Sequence, residues 1–84
     1  MDSNDVEVTI RQILGKHARL AVDVETLSPT DDLYVAGMTS HSSINVMLAL
    51  EDEFDVEFPE EKLSKGTFSS IANIRDELLQ IVVS

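Results

Sequence analysis

Ser40-His41-Ser42-Ser43-Ile44-Asn45-Val46-Met47-Leu48-Ala49-Leu50-Glu51-Asp52-Glu53-Phe54-Asp55 is the stretch that decides the fold. Val46, Leu50 and Phe54 recur every fourth residue, with Met47 beside them. That spacing makes the apolar stripe of an amphipathic helix. Hydroxyl residues, which favour helix starts, stand at its head. The spacing predicts a helix from about Ser40 to Asp55 with its core face on that stripe. Leu48 is the one apolar residue expected on its outer side.

Working outward, Val6, Ile10, Ile13 and Leu14 fall on one stripe of an earlier helix. Ser3 to Asp5 offer its cap oxygens, Gly15 can end it, and Lys16 and His17 suit its C-terminus. A long connection, about Ala18 to Thr39, carries Leu20, Val22, Leu27, Leu33 and Tyr34. It is too apolar for a free loop, so it is expected to lie on the core. Pro29-Thr30-Asp31-Asp32 reads as a turn, or as the start of one short helical turn. Beyond the central helix, Pro59-Glu60-Glu61 predicts a short helix, closed by Lys65-Gly66. Thr67 or Ser69 then caps a last helix carrying Phe68, Ile71, Ile74, Leu78, Ile81 and Val82. Strand-like alternation is confined to Val22–Glu25 and Asp55–Phe58. The expected fold is all-α: a small bundle of three longer helices, one short helix and a long first loop.

Composition narrows the function. Residues 1–84 suffice for one domain, and 43% apolar residues suffice for one core. The chain has no Cys, so it has no disulfide and no thiolate of its own. Met1-Asp2-Ser3-Asn4-Asp5 has neither the basic nor the apolar region of a signal peptide. No apolar run is long enough to span a membrane, and a cytoplasmic location is expected. Sixteen acids against six bases give a net charge of −10. That sign disfavours nucleic acid and anionic membrane surfaces. It favours a monomer, through repulsion between copies, and basic protein partners. The plain alternative is an ordinary acidic surface.

Ser40 is the first candidate for chemistry. Taken alone it reads as a helix cap. An exposed Ser at a helix N-terminus can also carry a phosphate ester, because free N–H groups and the helix dipole favour negative charge there. Gly37 before it permits a tight turn and room for a large group to approach. His41 is no base for Ser40, since neighbouring helix residues point about 100° apart. A solvent-exposed partner contact suits it better. His17 and His41 without Cys make no zinc signature. Asp52, Asp55 and Glu57 lack the glycine of a calcium loop, so a solvated acidic face is the better reading. No catalytic group and no metal ligand is assigned. Leu48 is either a docking residue or a scattered surface apolar residue.

The stretch resembles the acyl carrier protein family, whose Asp-Ser-Leu attachment motif leads into a helix ending Ala-Leu-Glu-Glu-Glu-Phe. Here Thr39-Ser40-His41 leads, without a gap, to Ala49-Leu50-Glu51-Asp52-Glu53-Phe54, and Phe58-Pro59-Glu60-Glu61 follows. Asp31-Asp32-Leu33 and Ile71-Ala72-Asn73-Ile74 match as well. The resemblance implies that Ser40, rather than Ser42 or Ser43, carries 4′-phosphopantetheine, added from coenzyme A by a phosphopantetheinyl transferase. The arm would hold an acyl or aminoacyl group as a thioester. The protein itself would be no enzyme.

The chain also departs from the family. Fatty-acid-type carriers place acids before the Ser and along the next two turns; here Thr39, Ser42 and Asn45 stand there. His41 replaces the Leu that follows the Ser. Charge matching governs partner choice. The pattern therefore points to a specialised carrier, similar to stand-alone aminoacyl carrier proteins. Its expected partners are its own loading ligase and a downstream acceptor enzyme, met through His41, Leu48, Glu51 and Asp52. An unmodified acidic helical adaptor is the alternative, and a calcium-binding helical protein a more remote one.

Overall fold

The computed structural model describes residues 3–83, with side chains for 4–81. Its elements are α1 (Ser3–His17), a 3₁₀ turn (Val24–Thr26), α2 (Ser40–Phe54), a second 3₁₀ turn (Glu60–Lys62) and α3 (Ile71–Val83). The fold is all-helical, and the short fourth helix is a single 3₁₀ turn. The alternating stretches 22–25 and 55–58 form no strand. In the second of them, Val56 and Phe58 turn inward while Asp55 and Glu57 stay exposed.

Helix α1 is the hub, packing against both α2 and α3. It buries Val6, Ile10, Ile13 and Leu14, the stripe expected from the sequence. Gly15 does not end it. The helix continues to His17, Ala18 N–H still reaches Leu14 O at 3.0 Å, and the chain turns away at Arg19 with φ 54°. Arg11 pairs with Glu7 on its own helix at 3.3 Å and donates to Val24 O at 2.8 Å. This fastens the first 3₁₀ turn to α1.

The long connection is tied down at both ends. Ala21 N–H bonds to Ala36 O, Leu33 N–H to Ser69 O and Ala72 N–H to Pro29 O. Leu33 and Met38 are buried; Leu20, Leu27 and Tyr34 pack partly against the core. Val22 does not: it remains 47% exposed at a bend outside the tethered turns. Gly37 has φ 120°, and a Cβ there would lie 2.8 Å from Ala21 N. The place a Cβ would take is occupied by the chain's own residues Leu20 and Ala21.

Helix α2 buries Val46 and Leu50 completely. Phe54, one further step along the stripe, is only partly buried. A period of four drifts against the 3.6-residue turn, and the helix ends there. Asp55 takes the left-handed conformation at φ 52°, with its N–H on Glu51 O and the Val56 N–H on the same oxygen. The Glu51 carboxylate accepts from Phe58 N–H at 2.9 Å. This brings Phe58 against Phe68, with ring centroids 5.4 Å apart and planes tilted 58°. Helix α3 begins after Ser70, whose Oγ accepts from Asn73 N–H at 3.1 Å. Thr67 and Ser69, the residues expected to cap, sit in the preceding turn, where Ser69 Oγ donates to Gly66 O. Ile71, Ile74 and Leu78 are fully buried. Phe68 lies before the helix, and the expected inward position of Val82 falls outside the described side chains.

Candidate functional site

The cap of α2 is Thr39, not Ser40. Thr39 is extended (φ −100°, ψ 167°), and its Oγ1 accepts from Ser42 N–H at 3.0 Å. Ser42 Oγ accepts in return from Thr39 N–H at 2.9 Å. This reciprocal box satisfies donors that an uncapped helix start would leave open. Ser40 is therefore the first helical residue, and it is exposed. The helix's first backbone bond in this region is Ser43 N–H to Thr39 O, so the N–H groups of Ser40 and His41 precede the ladder.

The three serines of this turn differ sharply. Ser42 is 5% exposed and Ser43 9%. Ser42 Oγ belongs to the capping box, and Ser43 Oγ donates to Ser40 O at 2.7 Å. A group attached to either hydroxyl would have to break these bonds and leave a buried site. Ser40 alone of the three is an exposed residue, at a helix start that favours an anion. Beside it is a depression of about 230 Å³, lined by Tyr34, Ser40, Ile44, Met47, Leu63 and Lys65 among others. An exposed hydroxyl, an anion-favouring helix end and adjoining open space fit a phosphodiester-linked arm.

The expected partner residues do not all share one face. Leu48 and Asp52 line one groove together with Ile13, Lys16, His17 and Asn45. His41 is exposed and lines a neighbouring hollow with Arg19, Gly37 and Asn45. Asn45 borders both, so His41, Leu48 and Asp52 form a continuous side of α2. Glu51 is half-buried and turned to Phe58 N–H. Leu48 is not the only outward apolar residue, because Ile44 is equally exposed at 53%. Ile44 stands one helical turn from Ser40, a spacing visible in the sequence. Leu63 and Lys65 carry no such signal, because they reach the site from a segment without helical period. Among the described residues, no three His, Cys, Asp or Glu side chains converge as a metal site would require.

Comparison with known proteins gives a consistent set of relatives. The profile of the family described as "Phosphopantetheine attachment site" matches residues 6–75. The aminoacyl carrier protein of Agrobacterium fabrum (strain C58) is 40% identical over 77 residues, covering 92% of this chain and 93% of the relative. A solved structure of an engineered Bradyrhizobium japonicum glycine:[carrier protein] ligase, complexed with carrier protein from Agrobacterium tumefaciens and ATP, contains a similar chain. It has TM-score 0.87 and 41% identity, covering 90% of this chain and 99% of that one. A structure of the Bradyrhizobium japonicum ligase complexed with glycylated carrier protein matches with TM-score 0.75 and 25% identity, covering 87% and 97%.

Proposed function

From the premise that the chain belongs to the phosphopantetheine attachment family, we propose that it is an aminoacyl carrier protein with its 4′-phosphopantetheine arm on Ser40. The observation that carries the residue assignment is the contrast within one turn: Ser40 is exposed, whereas Ser42 and Ser43 are buried and hydrogen-bonded. The aminoacyl reading draws on relatives named as aminoacyl carriers and on the glycine ligase complexes.

The bound arm supplies the thiol that a chain without Cys lacks. The chain's residues do the rest. Ser40 offers its hydroxyl to a phosphopantetheinyl transferase, and the start of α2 steadies the resulting negative charge. Thr39 and Ser42 close the capping box directly beside Ser40 and so fix where the helix, and with it the attachment point, begins. His41, Leu48 and Asp52 present the side that an amino acid:carrier protein ligase reads, and an acceptor enzyme downstream takes the cargo. The protein works as a cytoplasmic monomer and catalyses nothing itself, as is usual when a cofactor holds the chemistry. A small amino acid is the proposed cargo.

The test is intact mass after incubation with coenzyme A and a broad-specificity transferase. One arm's mass should be gained by the native chain, by Ser42→Ala and by Ser43→Ala, and not by Ser40→Ala. The modified protein should then accept glycine from a glycine:carrier protein ligase. An unchanged mass would leave the acidic adaptor. Label mapped to Ser42 or Ser43 would refute the Ser40 assignment, and loading by fatty-acid enzymes alone would refute the aminoacyl reading.

A further inference from the structure

We infer that Lys65 is the counter-charge that holds the phosphodiester on Ser40 and directs the arm toward the Tyr34 side of α2; this rests on the carrier reading of Ser40. The depression beside Ser40 has apolar and hydroxyl walls, and among the described residues lining it Lys65 is the one charged side chain. Ser40 and Lys65 line this one depression of about 230 Å³, so a phosphodiester on Ser40 borders the same space as the ammonium.

The ammonium is placed by a ring face and by no carboxylate that the structure pairs with it. Its Nζ lies 4.8 Å from the centre of the Tyr34 ring, within cation–π range. A ring face orients a cation without neutralising it as a carboxylate would. By contrast, Arg11, Lys62 and Arg75 are each spent on carboxylates of Glu7, Glu77 and Asp76. Tyr34 is itself braced, its N–H on Asp32 Oδ1 at 2.9 Å and its carbonyl on Gly37 N–H at 3.2 Å. The turn bearing Lys65 is held by Thr67 N–H on Ser64 O and by Asn73 Nδ2 on Gly66 O. In a chain of net charge −10, a further anion on Ser40 meets an unfavourable field. Lys65 offsets it locally, with the start of α2 acting from the other side. An arm rooted this way leaves the His41–Leu48 side uncovered for a partner.

The test is the phosphorus-31 NMR resonance of the modified protein, recorded after intact mass confirms one arm on Ser40. Lys65→Gln should move that resonance by more than its linewidth, Lys65→Arg should restore it, and Lys16→Gln, in the groove on the other side of α2, should leave it in place. Equal displacement by Lys65→Arg and Lys65→Gln, or no displacement by Lys65→Gln, would overturn this inference while leaving the carrier reading intact. Failure of the native chain to gain the arm would overturn both.

Discussion

Replacing Thr39 and Ser40 in turn separates the residue that caps the helix from the one proposed to carry the arm. Thr39→Ala removes the Oγ1 that accepts from Ser42 N–H at 3.0 Å. Loss of such a cap costs about 0.5–2 kcal/mol, typically near 1. The reverse bond, Thr39 N–H to Ser42 Oγ, uses only backbone of Thr39 and survives, so the lower half of that range is expected. Ser40→Ala removes an exposed hydroxyl outside the box and should change stability by no more than about 0.5 kcal/mol. In a domain this size 1 kcal/mol moves Tm by roughly 4–8 °C, so thermal melts resolve the two. The modification assay should run the opposite way: Thr39→Ala accepts the arm and Ser40→Ala does not. If Ser40→Ala lowers Tm as much as Thr39→Ala, Ser40 is a capping residue and the separation of roles fails.

Three further outcomes follow from the same geometry. Phe58→Ala, at a buried ring packed on Phe68, should cost roughly 3–5 kcal/mol in urea unfolding, with Phe54→Ala clearly less because Phe54 is only partly buried. Equal losses would place Phe54 in the core. Gly37→Ala, which forces a Cβ against Ala21 N at φ 120°, should destabilise by more than about 1 kcal/mol, and a neutral urea midpoint would contradict the close approach. Leu48→Ala and Asp52→Asn should slow loading by the ligase, with the rate of native loading falling as salt is added, while Tm stays nearly fixed since both side chains are exposed. Unaltered loading by both variants would remove that side of α2 from the interface.

Helix periodicity carried most of the architecture. The stripes of α1, α2 and α3 are legible because a 3.6-residue period is imposed by burial on one face, and Val6, Ile10, Val46, Leu50, Ile74 and Leu78 obey it. Helix ends were less legible. Thr39, Ser40, Ser42 and Ser43 all have hydroxyls that can cap, and only backbone conformation singles out Thr39. Gly15 marks no ending, since a glycine ends a helix only where the chain must enter the left-handed region, and here Arg19 does so. Glu51 was legible as an acid near the end of the central helix. Its bond to Phe58 N–H depends on a turn that no local pattern announces. Ser40 stood out through its ungapped distance to Ala49-Leu50-Glu51, while Tyr34, Leu63 and Lys65 come from irregular segments and are joined only by tertiary structure.

Because α2 and α3 each lean on α1, the ground between Ser40 and α3 is built from loops and one 3₁₀ turn, residues 29–38 and 56–70. Irregular chain tolerates replacement and insertion better than an interlocked helix pair does. Substitutions at Tyr34, Leu63 or Lys65 can thus remodel the surroundings of Ser40 while the stripe that holds the helices stays untouched. In such a scaffold, the repertoire of cargo and client enzymes is free to diverge faster than the fold.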